Sequence, residues 1–297
     1  MCRLFGFRSA VPSRAHKSLV AAQNALVRQA SDHADGWGLG WFHGDEAYVV
    51  KTAKAALDCD RFRRVSEGLT SHTFLAHLRR ATVGELDHIN AHPFRSGRWL
   101  FAHNGTVIGL DQGLGQWLLQ RVDPQMRPLI MGDTDSELLF FAVLTRLHAL
   151  GGDPTGRAAS DPGLAARAVR DVTLALDAEA SRRGFERPLL NVVLTDGRVL
   201  LAHKAGMPLQ LSTQKHHCAD APTCPAVKVC LMARRPEGEP VNHLIVASEA
   251  IGLDENVWED VEDGTTVVLG EDFRLRQIGP PEGWSAPVLP VRFRIAR

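Results

Sequence analysis

The order of the predicted elements constrains the fold of this chain more than any other feature, because strand-like segments lie on both sides of a central helical region. Asp135 to Leu150 places apolar residues at helical spacing, and Leu164 to Arg183 predicts a second long helix. Short apolar segments typical of strands occupy residues 3–7, 36–42, 47–50, 72–81, 98–103, 189–195, 198–203, 244–248, 265–269 and 273–278. The order of strands, helices and strands predicts an α+β fold with antiparallel sheet rather than regular βαβ units.

The segments between these elements give a coarse outline of the remaining chain. A further helix is predicted over Lys17 to Ser31, which is rich in Ala, Leu and Gln. Gly151 to Gly163 has the composition of a loop. Gln214 to Val241 is polar, contains proline, and is interpreted as a long surface excursion between strands. Pro280 and Pro281 open a tail.

The charge balance argues against a polyanionic partner. Lys and Arg number 34, as do Asp and Glu, so the formal net charge of zero gives no long-range attraction to nucleic acid or anionic lipid. No apolar run approaches the roughly 20 residues that are needed to cross a bilayer. The N-terminal residues lack the basic and apolar regions of a signal peptide. We therefore expect a cytoplasmic protein that binds neither nucleic acid nor membranes.

The cysteines do not form the pattern of a disulfide framework, because their number is odd and their density is low. They are Cys2, Cys59, Cys218, Cys224 and Cys230. The last three lie near a His-His pair in the excursion, but five residues separate each neighbouring pair of cysteines. Structural zinc sites usually have two to four residues between paired cysteines. We expect no metal here, and idle or redox-paired cysteines instead.

Cys2 is unusual because it directly follows the initiator methionine. A small side chain at this position generally permits removal of Met1, which would place a free α-amino group and a thiol on one residue. An α-amino group has a pKa of about 7.7–8.0, so it can accept a proton near neutral pH. The alternative is an idle or buried cysteine near a terminus.

Polar clusters interrupt the apolar elements at four places. They are Cys2, residues 77–84 (HLRRATVG), residues 90–94 (NAHPF) with residues 103–105 (HNG), and residues 132–137 (GDTDSE). Each cluster has a structural explanation when it is taken singly. An arginine at a strand end is usually a surface residue, Asn-Gly suits a tight turn, and Thr-Asp suits a helix cap.

Together and in this order, the clusters resemble the glutaminase domain of class II glutamine amidotransferases, which are N-terminal-nucleophile hydrolases. The match consists of an N-terminal Cys followed by H-x-R-x-A-T-x-G, N-A-H-P, H-N-G and T-D-[ST]-E, and it is strongest over residues 2–150. Residues 189–270 are similar to the later strands of the stand-alone branch, which includes the ergothioneine-pathway γ-glutamyl hydrolase. The resemblance implies a four-layer αββα sandwich of two antiparallel sheets. It implies one amidotransferase domain over residues 2–279, with the excursion at about 213–242 and a C-terminal tail over 280–297.

The resemblance also implies a mechanism and the residues that perform it. Cys2 would attack a side-chain amide, with its own amine as the base, and form a γ-glutamyl thioester that water converts to glutamate. The side-chain NH₂ of Asn104 and the backbone N–H of Gly105 would form the oxyanion hole. No cofactor is implied.

Substrate binding is implied in the same way. By match to the family, Arg79 would hold the α-carboxylate of glutamine, since a guanidinium pairs with a carboxylate through two hydrogen bonds. Asp135 would hold the α-ammonium group, and Thr82 would add hydrogen bonds. His77 and His92 are interpreted as residues that brace strands and turns rather than transfer protons.

Arg80 departs from the family pattern, because the fused sugar-synthesising members carry Trp there in a loop that closes over glutamine. Fused members also continue into a synthase domain, for which this chain ends too soon. Two enzyme functions stay open. Either the enzyme releases ammonia from glutamine for a separate synthase, or it hydrolyses the γ-glutamyl amide of a small molecule larger than glutamine. A catalytically silent binding or regulatory module of the same fold is the alternative from another class.

Overall fold

The computed structural model describes residues 2–14, 17–22, 24–57, 59–81, 83–218, 221–225, 227–231, 239–252 and 254–287. The strands are β1 Arg3–Arg14, β2 Trp37–His43, β3 Glu46–Thr52, β4 Thr70–Leu78, β5 Phe94–Ser96, β6 Trp99–Thr106, β7 Leu189–Thr195, β8 Leu200–His203, β9 Gln210–Lys215, β10 His243–Ala247, β11 Asn256–Asp260, β12 Thr266–Leu269 and β13 Leu275–Ile278. The α-helices are α1 Asp60–Gly68, α2 Gly115–Gln120, α3 Asp135–Ala149, α4 Pro162–Arg182 and α5 Val227–Cys230. Shorter helical turns lie at 17–21, 26–32, 110–114 and 127–129.

The strands form two sheets, and every pair of neighbouring strands is antiparallel. The first sheet has the order β11-β9-β10-β1-β4-β2-β3, and the second has the order β13-β12-β8-β7-β6-β5. Strand β6 of the second sheet packs against β1 and β4 of the first. The predicted antiparallel α+β fold is confirmed.

The two sheets and their helices make four layers, because both faces of each sheet are buried. Successive side chains of a strand point to opposite faces, so Leu4 lies in the core between the sheets whereas Phe5 packs toward α1 and the helical turns. On the far side of the second sheet, Phe101 of β6 stacks on Phe140 of α3, with ring centroids 5.2 Å apart. The order of layers is helix, sheet, sheet, helix, as the family resemblance implies.

The two long helices begin at residues whose side chains cap them. Thr134 accepts a hydrogen bond from the backbone N–H of Glu137 at 3.3 Å and starts α3. Asp161 accepts one from Gly163 N–H at 2.7 Å, with Pro162 as the first helical residue, so α4 begins two residues earlier than the apolar pattern predicts. Both predicted helices are confirmed.

The single helix predicted over residues 17–31 is wrong. Two separate helical turns occupy 17–21 and 26–32, and Asn24 between them has a φ of 52°, which interrupts a helix. The Asn24 side chain donates to the carbonyl of Ala250 at 2.9 Å, so a tertiary contact replaces the helix that composition favours. Similarly, Phe273 has a φ of 52°, and the last strand begins only at Leu275.

Several elements of the fold were not predicted from the sequence. Helices α1 and α2 and strands β5, β9 and β11 are present in addition to the predicted elements. Strand β9 extends to Lys215, and α5 lies within the predicted excursion. Within the described part of the chain, no helix combines the length and apolar character that a membrane span requires.

Candidate active site

One end of the gap between the two sheets holds a small pocket that unites several separate parts of the sequence. Cys2 immediately precedes β1, Arg79 follows β4, Gly105 lies in β6, and Asp135 begins α3. The pairing of Arg3 with Leu78 sets the start of β1 beside the end of β4. The residues that line the pocket are Cys2, Arg79, Arg80, Ala81, Val83, Asn90, His92, His103, Gly105, Thr134, Asp135 and Ser136.

The Cys2 thiol is held against the backbone of Arg80. Sγ accepts a hydrogen bond from Arg80 N–H at 3.3 Å and donates one to Arg80 C=O at 3.4 Å. Burial raises the pKa of the Cys2 thiol, Arg79 works in the opposite direction, and Asp135 adds to the increase. The thiol form is therefore favoured in this pocket, and a nucleophilic reaction needs a base to remove its proton.

The Arg79 guanidinium is buried without a carboxylate partner among the described residues. Its side chain donates to the carbonyls of Glu85 at 2.9 Å, Val83 at 3.0 Å and Gly84 at 3.4 Å, and only 3% of the residue is exposed. Buried charges are ordinarily paired. Three carbonyl dipoles compensate this charge in part, so the pocket contains a cation that can still pair with an anion.

Asp135 supplies the opposite charge and is 4% exposed. Its Oδ2 accepts a hydrogen bond from Val107 N–H at 2.8 Å, and its Oδ1 accepts one from the Ser136 hydroxyl at 3.1 Å. Thr134 caps α3, so Asp135 is not needed for that purpose. No lysine or arginine pairs with this carboxylate within the described ranges.

Asn104 and Gly105 lie side by side on β6 but face different surroundings. Gly105 lines the pocket, whereas Asn104 is 1% exposed and its side-chain amide contacts Ser248, just beyond β10. A Cβ on residue 105 would lie 1.7 Å from the carbonyl oxygen of Leu189, so only glycine fits there. Ser248 could not be singled out from the sequence, since no sequence pattern shows which buried amide a serine contacts.

Two buried histidines lie side by side, and one of them, His92, lines the pocket. The rings of His77 and His92 lie 4.2 Å apart between centroids, and the His92 ring meets Phe94 edge-on at 4.8 Å. Burial lowers the pKa of His77 to about 3 and that of His92 well below its ordinary value. Both rings are therefore neutral at ordinary pH, which agrees with their interpretation as bracing residues.

These buried histidines make the stability of the fold pH-dependent. Burial also lowers the pKa of His203 to about 3, and its Nδ1 lies 2.9 Å from the Thr266 hydroxyl. Below pH 6.5 the unfolded chain takes up protons that the folded chain excludes, so stability falls as the pH falls from 6.5 toward 3. We expect a loss of about 2 kcal/mol at pH 5 for each of His77 and His203, whose pKa values are about 3.

Urea unfolding at pH 7.5 and pH 5.0 measures this loss. His203→Gln is expected to reduce it by about 2 kcal/mol, because the titrating group is gone. His43→Gln changes an exposed histidine and is the matched control, which should leave the loss intact. An identical pH dependence in His203→Gln and the wild type would contradict the expectation.

Thr82 and the excursion are two further parts of the chain that were singled out from the sequence. Thr82 lies outside the described residues. The described part of the excursion does not border Cys2. Together with Ser9 and Arg14, it lines a different cavity of about 460 Å³, toward the end of β1 that is far from Cys2. The five cysteines are free thiols, and within the described residues no group of three or more His, Cys, Asp or Glu is arranged to hold a metal.

Comparison with known proteins decides the family. The model of the family described as "Glutamine amidotransferases class-II" matches residues 1–280. This chain belongs to the class II glutamine amidotransferases. The enzyme class predicted from the sequence, an amidohydrolase or glutamine amidotransferase, is thereby confirmed.

Two similar proteins illustrate the range of this family. The putative glutamine amidotransferase YafJ of Escherichia coli is 28% identical over 214 residues, which cover 68% of this chain and 72% of YafJ. The γ-glutamyl-hercynylcysteine sulfoxide hydrolase of Mycobacterium tuberculosis is 42% identical, but only over 76 residues, which cover 25% of this chain and 33% of that protein.

Solved structures agree with the fold. A class II glutamine aminotransferase domain protein from Silicibacter pomeroyi has a TM-score of 0.62 at 19% identity, over 94% of this chain and all of that one. The glutamine phosphoribosylpyrophosphate amidotransferase of Bacillus subtilis has a TM-score of 0.58 at 14% identity, over 93% of this chain and 49% of that one. At such identities the likeness establishes the fold alone.

Proposed function

We propose that this enzyme hydrolyses the side-chain amide of glutamine or of a γ-glutamyl amide, with Cys2 as its N-terminal nucleophile. The observation that carries the proposal is the pocket that joins Cys2, Arg79 and Asp135. Its buried guanidinium and carboxylate have no charged side-chain partners within the described residues. Those two charges complement the α-carboxylate and α-ammonium of a glutamyl group, and the thiol lies in the same pocket.

The reaction would proceed through a thioester. After removal of Met1, the α-amine of Cys2 accepts the thiol proton, directly or through a water. The thiolate attacks the amide carbon, and Gly105 N–H with the Asn104 amide stabilises the resulting oxyanion. The C–N bond then breaks, and ammonia or an amine leaves with the proton from the α-ammonium. Water, activated by the same amine, attacks the thioester, releases glutamate and restores the thiol.

The raised pKa of the thiol gives the α-amine a necessary role. Because burial favours the protonated thiol, little thiolate forms unless a base lies next to it. The α-amine of Cys2 meets this requirement within the same residue, and its ordinary pKa lies close to neutral pH. Thr82, three residues after Arg79 in the sequence, would add hydrogen bonds to the bound glutamyl group.

A γ-glutamyl amide of a larger molecule is the substrate class that we favour over free glutamine. The partial likeness to the mycobacterial γ-glutamyl hydrolase supports this choice. Arg80 also supports it, because its exposed side chain stands at the pocket. Delivery of ammonia to a separate synthase is the second candidate. In either case we expect the domain over residues 2–279 to act in the cytoplasm on a small molecule.

A panel of substrates tests the proposal. Glutamine and γ-glutamyl amides with small, large, neutral and anionic amine portions are assayed for glutamate release by the purified full chain. We expect release from at least one γ-glutamyl amide at a higher kcat/KM than from glutamine. Intact mass of the same sample should give the chain without Met1, and one adduct after treatment with an electrophilic glutamine analogue.

Each possible result of the panel has a definite meaning. Faster turnover of free glutamine than of every amide would favour the ammonia-delivering function. Absence of glutamate release from the whole panel, together with absence of an adduct on Cys2, would favour a silent binding module instead.

A further inference from the structure

Ser248 connects the first sheet to the oxyanion-hole residue on the second. Its backbone N–H donates to Leu4 C=O at 3.0 Å, and its hydroxyl oxygen accepts a hydrogen bond from Leu4 N–H, also at 3.0 Å. The same oxygen lies 3.3 Å from Nδ2 of Asn104. Ser248 is buried, with 4% exposure, and Leu4 is only two residues from Cys2. One hydroxyl therefore joins the strand of the nucleophile to the amide of Asn104.

The hydrogen-bonding capacity of these groups is not fully used in this arrangement. The Ser248 oxygen accepts two N–H groups, while Oδ1 of Asn104 is buried without a hydrogen-bond partner. A buried carbonyl oxygen ordinarily has a donor. A half-turn of the amide exchanges its oxygen and nitrogen, and the Ser248 O–H can then donate to Oδ1. The hydroxyl oxygen continues to accept Leu4 N–H, and both amide hydrogens turn away from Ser248.

We propose that Ser248 is the positioning residue of the oxyanion hole. During catalysis its O–H donates to Oδ1 of Asn104 and directs the amide NH₂ toward the oxyanion that forms on the Cys2-bound substrate. A serine hydroxyl suits this position because it accepts from Leu4 and donates to Asn104 at the same time. This inference rests on the proposed role of Asn104, and it adds a residue that holds Asn104 in its reactive orientation.

A double-mutant cycle tests whether Ser248 acts through Asn104. Asn104→Ala is expected to lower kcat by about 10²–10³, the usual effect of losing one oxyanion donor. Ser248→Ala should lower kcat by roughly 10-fold or more with little change in KM, because the donor remains but its orientation is lost. The double variant should be no slower than Asn104→Ala, since the two residues act as one unit. Ser248→Thr, which retains the hydroxyl, should restore most of kcat.

The controls separate this role from a general loosening of the sheet. Glu249→Gln weakens the ion pair of Glu249 with Arg3, an adjacent contact between β1 and the end of β10, and leaves Asn104 untouched. It should lower the melting temperature by less than Ser248→Ala does, because this ion pair is partly exposed, and it should leave kcat unchanged. A loss of kcat in Glu249→Gln as large as that in Ser248→Ala would overturn the positioning role.

Failure of this inference is distinguishable from failure of the proposed function. If Asn104→Ala retains wild-type kcat, the proposed oxyanion hole itself is wrong. If Asn104→Ala is slow but Ser248→Ala is not, only the inference about Ser248 is overturned. Effects of the two single variants that multiply in the double variant would overturn it as well, as would a folded Ser248→Thr enzyme as slow as Ser248→Ala.

Discussion

Replacing Cys2 with serine is expected to lower amide hydrolysis by about 10⁴-fold or more, because the substitution removes the thiol nucleophile. A serine hydroxyl holds its proton far more tightly than a thiol, so the same α-amine produces much less of the reactive form in a pocket that is shaped for sulfur. The melting temperature should change little, since both hydrogen bonds of the Cys2 side chain are with the backbone of Arg80. Glutamate release and thermal unfolding of the same preparation measure both effects.

A second cysteine and a blocked N-terminus serve as controls for this expectation. Cys59 precedes α1 and is also a partly buried free thiol, so Cys59→Ser should retain wild-type turnover. An N-terminal extension that persists in the purified protein should abolish hydrolysis while Cys2 remains, because the base is then an amide. A blocked chain with undiminished turnover would refute the N-terminal-nucleophile mechanism.

Removing either charge of the pocket is expected to weaken transition-state binding by about 2–5 kcal/mol, or roughly 30- to 5,000-fold in kcat/KM. Asp135→Asn leaves an α-ammonium unpaired in a partly dry pocket, while the amide oxygen can still accept from Val107 N–H. Arg79→Lys should be similarly damaging, because an ammonium cannot reproduce the two-pronged contact with a carboxylate. The measurement is kcat/KM for glutamine and for the preferred γ-glutamyl amide.

Asp133→Asn is the matched control for the loss of a carboxylate near the pocket. Asp133 lies two residues from Asp135, is exposed, and accepts a hydrogen bond from the Asn90 side chain. Its substitution should change kcat/KM by less than about threefold, because exposed charges are screened by solvent. An unchanged kcat/KM in Asp135→Asn would show that Asp135 does not bind the substrate. Its role would then be limited to its hydrogen bonds with Val107 and Ser136.

Local patterns explain which parts of the fold were predictable. Helix α3 follows from apolar spacing and from the Thr134 cap, and both properties lie within one continuous stretch of sequence. The helix predicted over residues 17–31 fails because Ala-rich composition is a weak preference that tertiary contacts override. There, Asn24 adopts a positive φ and bonds to Ala250, a residue more than 200 positions away.

The sequence by itself determined the α+β class, the two long helices and the motifs that carry Cys2, Arg79, Asn104 and Asp135. These properties can be predicted because they depend on residue types and their spacing within continuous segments of the sequence. Only the tertiary structure decided that Cys2, Arg79 and Asp135 share one pocket, that the described excursion lies toward the other end of β1, and that Ser248 reaches Asn104. The physical reason is that strand pairing and the stacking of two sheets set these contacts. The local sequence around a residue does not indicate which distant residue it will contact.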